Sequence, residues 1–84
     1  SASDETCINL RMGPIKVIVS RNQIPVDYQF DYTRGDCWVS DDGEVEIREG
    51  SVVRLRIMGL TVNADSMDVV GDLKEEYLGK VGGV

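Results

Sequence analysis

Ile8, Leu10 and Met12 alternate with Asn9 and Arg11, and Ile15, Val17 and Val19 alternate with Lys16 and Ile18. Both runs have the period of two that marks a half-buried strand. Gly13-Pro14 stands between them. Glycine at the first central position of a type II′ turn supplies the positive φ, and proline can hold the second. Counting outward from that turn pairs Met12 with Ile15, Leu10 with Val17 and Ile8 with Val19, all apolar and all on one face. The other face pairs Arg11 with Lys16 and Asn9 with Ile18. A slip of one residue would destroy this sorting, so the pattern predicts a hairpin in this register.

Ser20 can cap a short helical turn through Arg21, Asn22 and Gln23. Pro25 stops it, because its ring disfavours helix at the preceding residue. Tyr28, Phe30 and Tyr32 alternate with polar residues, and Arg34-Gly35-Asp36 is turn chemistry. Cys37 to Ser40 can extend, Asp41-Asp42-Gly43 turns the chain, and Glu44 to Ile47 returns as a short strand. After a turn at Glu49-Gly50-Ser51, Val53, Leu55 and Ile57 alternate with Arg54 and Arg56 in the clearest strand of the sequence. Gly59 suggests a bend or bulge. Met67 to Val70 reads as a last short strand, residues 72–78 as one helical turn, and Gly82-Gly83 as a loose tail. Short strands with turn signals every few residues predict an all-β chain, best fitted by a small five-stranded OB-type barrel. The expected division is a flexible N-terminal loop at 1–7, the barrel domain at 8–81 and a tail at 82–84.

Charge and composition then limit what such a domain does. In 84 residues there are nine Lys and Arg against fifteen Asp and Glu, a net charge of −6. Bulk attraction to a polyanion is excluded as the main driver of binding, so any nucleic-acid contact has to come from a local patch. The absence of histidine removes an imidazole base, Ser-His and Cys-His dyads and His metal ligands. Cys7 and Cys37 cannot by themselves make a four-ligand zinc site and are not a disulfide framework; both are expected reduced. The acidic run Asp41, Asp42, Glu44 and Glu46 lacks the spacing of a calcium loop. No apolar run approaches the length needed to span a bilayer. No cofactor, metal, membrane or small-molecule substrate is expected, and no enzyme activity.

Several strings are more specific. Val53-Arg54-Leu55-Arg56-Ile57-Met58-Gly59 is followed by Val69-Val70-Gly71, and the end reads Leu73-Lys74-Glu75-Glu76-Tyr77-Leu78-Gly79. In the first half Gly13-Pro14 is followed by Val19-Ser20, Ile24-Pro25, Asp27 and Phe30-Asp31. In this order and spacing, over roughly residues 8–81, they resemble the C-terminal S1-type OB domain of the seventh-largest subunit family of nuclear RNA polymerases. The resemblance implies a non-catalytic domain of the polymerase stalk in the nucleus, paired with the fourth subunit and near the exit of the nascent transcript. It also implies that the family's N-terminal docking half, and the strand that opens the S1 barrel, lie outside this stretch. Many RNA-binding S1 domains carry aromatic residues where the hairpin register here places Asn9 and Ile18, which weakens base stacking at that spot.

The residues expected to meet single-stranded RNA are Asn9, Arg11, Lys16, Ile18 and Arg21, with Arg54 and Arg56 as further cations. Arg11 and Lys16 stand opposed on the outward face, where like charges repel unless a phosphate relieves them. Arg54 and Arg56 have a competing structural reading, pairing with Glu44, Glu46 or Asp68 at little gain in stability. Trp38 and Phe30 read as core anchors more than as base-stacking rings. Tyr77 and Leu78 are the expected partner interface, or else a plug for the barrel end. The alternative function is a structural and protein-interaction domain of the stalk that docks the fourth subunit or recruits processing factors, with little direct RNA binding.

Overall fold

A computed structural model of the chain describes residues 3–84. The expectations for Ser1 and Ala2 lie outside the described residues. The elements in chain order are β1 (Cys7–Met12), β2 (Ile15–Ser20), the 3-10 turn Arg21–Gln23, β3 (Tyr28–Asp31), the 3-10 turn Tyr32–Arg34, β4 (Cys37–Ser40), β5 (Glu46–Ile47), β6 (Ser51–Arg54), β7 (Arg56–Val62), β8 (Met67–Asp72) and β9 (Gly79–Gly83).

The first hairpin forms in the predicted register, with Met12 opposite Ile15, Leu10 opposite Val17 and Ile8 opposite Val19. Gly13 takes φ +58°, the sign a type II′ turn demands at its first central position. β8 then pairs parallel to β2 and antiparallel to β7, giving a four-stranded sheet in the order β1-β2-β8-β7. β3, β4 and β5 form a second sheet, and β6 and β9 a third. The fold is all-β and OB-like. The principal sheet is open, with β1 and β7 at its two edges, as expected of such a barrel without the strand that opens it.

The inward face of that sheet is built in layers. Ile8, Val19 and Gly71 share one level with Ile57; Leu10, Val17 and Val69 share the next with Leu60; Met12, Ile15 and Met67 share the third with Val62. The core sits at the first level, where Ile8, Val19, Ile24, Trp38, Ile47 and Leu73 are all buried. The β3-β4-β5 sheet contributes Trp38 and Ile47, so it packs over the Ile8–Val19 end of the hairpin. The opposite end stays wet: Met12 is 70% exposed and Val62 69%.

Four local expectations are corrected. The strand expected through Val53, Leu55 and Ile57 is broken at Leu55 into β6 and β7, which pair with different partners. Ser20 takes the N-cap backbone position of its turn, but its side chain makes no capping bond. Residues 72–78 do not form a helical turn; β8 runs on to Asp72, whose carboxylate accepts from the Lys74 N–H, and Tyr77 at φ +73° cannot continue a right-handed helix. Gly82 and Gly83 belong to β9, opposite Val52 and Ser51. Glycine is required at 83, where φ is +78° and a Cβ would lie 2.2 Å from the Gly50 carbonyl oxygen. The bulge anticipated at Gly59 is present, with a register shift between Ile57 and Gly59.

Candidate functional site

The hairpin register turns Asn9, Arg11, Lys16 and Ile18 outward together, Asn9 opposite Ile18 and Arg11 opposite Lys16. The parallel pairing of β2 with β8 widens this face. It sets Asp68 beside Lys16 and Val70 beside Ile18, and β7 adds Thr61 beside Asp68 and Gly59 beside Val70. Ile18, Val70 and Met58 are each between 40% and 50% exposed, so a small apolar patch adjoins the two cations. Sequence reasoning named the hairpin half of the face and missed the β8 and β7 half. The alternation of Asp68 and Val70 with Met67 and Val69 carried that signal, but only the parallel pairing showed which strand they join.

Arg11 and Lys16 differ from the other arginines in having no ion-pair or hydrogen-bond partner among the described residues. Arg34 pairs with Asp31 and with Glu46, and Arg48 pairs with Glu46. Arg56 reaches Asp72 at 3.2 Å and Glu75 at 3.4 Å, neither of them among the carboxylates anticipated for it. Arg54 donates to the Tyr77 carbonyl at 3.4 Å. Asp68, the carboxylate nearest Lys16 in register, accepts from the Asn63 amide at 3.3 Å.

Arg21 is placed away from the face. Its guanidinium donates to the carbonyls of Ile24, Pro25, Val26 and Tyr28 at 2.9–3.4 Å and lies 5.2 Å from the centre of the Trp38 ring. It therefore staples the 24–28 loop to the core. Trp38 is buried, with Phe30 edge-on to it at 5.8 Å, and so has no face to offer a base. Tyr77 is the reverse case: its side chain is 82% exposed, on a backbone at φ +73°. Leu78 is half-buried beside a small hollow of about 250 Å³ whose other walls include Pro25, Tyr28, Ile47 and Leu73.

Burial pushes the Cys37 thiol up, away from thiolate character, and both cysteines are free. Burial also raises the Tyr28 hydroxyl, assisted by the negative charges of Asp27 and Asp42. Hydrogen bonds from Arg34 and then Arg48 hold Glu46 below the usual carboxylate range. Among the described residues no group of His, Cys, Asp and Glu is arranged to hold a metal ion.

Comparison with curated proteins adds what geometry alone does not. DNA-directed RNA polymerase II subunit rpb7 of Dictyostelium discoideum is 39% identical over 71 residues, 83% of this chain and 41% of that one. The subunit rpb7 of Schizosaccharomyces pombe is 38% identical over 68 residues, 81% of this chain and 39% of that protein. Subunit 7 of Arabidopsis thaliana is 35% identical over 69 residues, 82% and 39% respectively. This chain is a homologue of part of RNA polymerase II subunit 7. It spans about two fifths of the length of these subunit 7 relatives. No protein-family model matches it.

Proposed function

We propose that this domain is a non-catalytic module of a DNA-directed RNA polymerase, working in the nucleus as part of the stalk, and that its outward sheet face meets single-stranded nascent RNA. The observation that carries the reading is the pairing of Arg11 with Lys16 on an exposed face, with no partner carboxylate among the described residues, while the other arginines are held internally. Two cations directly opposite one another repel, and a phosphate between them removes that cost while making charge-assisted hydrogen bonds. Asn9 supplies a polar side chain and Ile18, with Val70, an apolar surface for a base. Arg54 and Arg56, bonded to the Tyr77 carbonyl and to Asp72 and Glu75, are left out of this contact, and Arg21 acts on the frame of the domain. The fourth polymerase subunit and the polymerase core are the expected protein partners.

The test is fluorescence anisotropy with a short labelled single-stranded RNA at low salt. The wild-type chain is expected to bind weakly, and Arg11→Glu together with Lys16→Glu to abolish binding without altering the fold, since both side chains are exposed. Binding unchanged in the double variant would remove this face from the reading. A second reading, contact with another protein, is favoured by Tyr77: a large aromatic held out in solvent on a strained backbone is an interface anchor in waiting.

A further inference from the structure

Two turns face each other across the hollow of about 250 Å³ beside Leu78. One is closed by the Tyr28 N–H donating to the Pro25 carbonyl, the other by the Leu78 N–H donating to the Glu75 carbonyl. The floor is apolar, made by the buried Ile47 and Leu73 with the half-buried Pro25 and Leu78. The rim is acidic, with Asp27, Glu75 and Glu76 all exposed. We propose that this hollow takes one arginine side chain of a basic polypeptide segment, its aliphatic stem on the floor and its guanidinium among the carboxylates of the rim.

Size and chemistry agree on that occupant. A cavity of roughly 150 Å³ already holds a benzene-sized group, so this one accepts a long side chain and no folded element. An apolar base under a charged mouth is the counterpart of a side chain with a hydrocarbon stem and a cationic head. The walls carry three carboxylates against one cation, Lys74. Glu75 holds Arg56 at 3.4 Å, whereas Asp27 and Glu76 make no ion pair among the described residues. Tyr28 reports the local field: burial raises its hydroxyl pKa, and the negative charges of Asp27 and Asp42 raise it further. Arginine suits the place better than lysine, because its planar head can lie on the Tyr28 ring and still bond carboxylates through its edge.

Tyr77 adds a second hold. It lies in the chain between the wall residues Glu76 and Leu78, and its side chain is 82% exposed. An aromatic ring held out beside the hollow gives the segment that carries the arginine an apolar surface to cover. The net charge of −6 draws a basic segment towards the domain and sets two copies of the chain against one another. The hollow shares no residue with the Arg11–Lys16 face, so this inference stands apart from the RNA reading.

The experiment follows the amide NMR shifts of the full chain on titration with a short alanine peptide carrying one central arginine. A control peptide carries neutral citrulline in its place. The amides of Asp27, Tyr28 and 74–79 are expected to move on one saturable curve with the arginine peptide and to stay still with the control. Asp27→Asn together with Glu76→Gln, both at exposed positions, is expected to weaken binding about fivefold, the scale of two surface ion pairs. Asp36→Asn together with Asp65→Asn removes the same charge elsewhere and is expected to change nothing. Arg11→Glu together with Lys16→Glu is expected not to weaken peptide binding, which separates this site from the RNA face. Unaltered shifts outside the two turns report that each variant is folded. The proposal is overturned if citrulline moves the same amides equally, or if the Asp27→Asn, Glu76→Gln variant binds as tightly as the wild type. Shifts spread evenly over the acidic loop at 41–44 would also overturn it, since they mark general charge attraction. So would a dimer in sedimentation that the same variant dissolves, which would make a second copy the occupant.

Discussion

Arg21 shows how far a residue's chemistry depends on where its neighbours bring acceptors. On a strand end it reads as one more cation for RNA. Folded, it meets backbone carbonyls at 24, 25, 26 and 28 and the Trp38 ring, a use that suits the planar five-donor guanidinium and not an ammonium. Arg21→Ala is expected to cost about 2 kcal/mol of stability, the scale of charged hydrogen bonds, measured as a drop in the urea midpoint. Arg21→Lys should recover little of it. At Tyr77 the strain runs the other way. Tyr77→Gly removes the αL penalty and is expected to leave stability unchanged or raise it by about 1 kcal/mol. If the tyrosine anchors a partner, the same change weakens capture of the purified fourth subunit. Undiminished capture would exclude Tyr77 from that interface.

At the scale of elements, the β3-β4-β5 sheet depends on charge at its margin. Glu46 on β5 bonds Arg34 and Arg48, each at 2.8 Å. These bonds lower its pKa, Arg34 foremost. A carboxylate depressed on folding contributes stability that is present above its unfolded value of 4.5 and is lost as pH falls through the lower folded value. Asp31 and Asp42 shift the same way, through hydrogen bonds from Thr33 and from Ser40 respectively. The urea midpoint is therefore expected to fall on acidification below about pH 4.5. Glu46→Gln should flatten part of that slope while lowering stability at neutral pH. A slope unaltered by the variant would assign the acid sensitivity to the aspartates.

For the whole molecule, the proposed contact with RNA has to be reconciled with a net charge of −6. Carboxylates pair with Arg34, Arg48 and Arg56, whereas Arg11 and Lys16 stand directly opposite one another on an exposed face and so concentrate positive charge there. Two phosphates neutralised on a single strand give a slope of log K against log salt of about −1.4. A markedly steeper slope in the anisotropy titration would mean that cations beyond this pair take part. The molecule measures 41 × 26 × 23 Å.

Local pattern determined a good deal of this protein. The hairpin, its register and its turn were legible because side-chain alternation and the Gly13-Pro14 pair constrain each other over a few residues. So was the outward placement of Asn9, Arg11, Lys16 and Ile18. The strings around 53–59, 69–71 and 73–79 were enough to indicate the subunit family. Tertiary structure alone decided which strands meet across long separations, because pairing of β2 with β8 is settled by packing of both inward faces and leaves no mark on either strand alone. It decided the ion pairs for the same reason: Asp72 and Glu75 reach Arg56 only after the chain has returned through β8. The break at Leu55 and the pairing of the glycine tail in β9 are likewise products of one pairing competing with another. The sequence announces strands; the folded molecule chooses their partners and leaves β7 with only one.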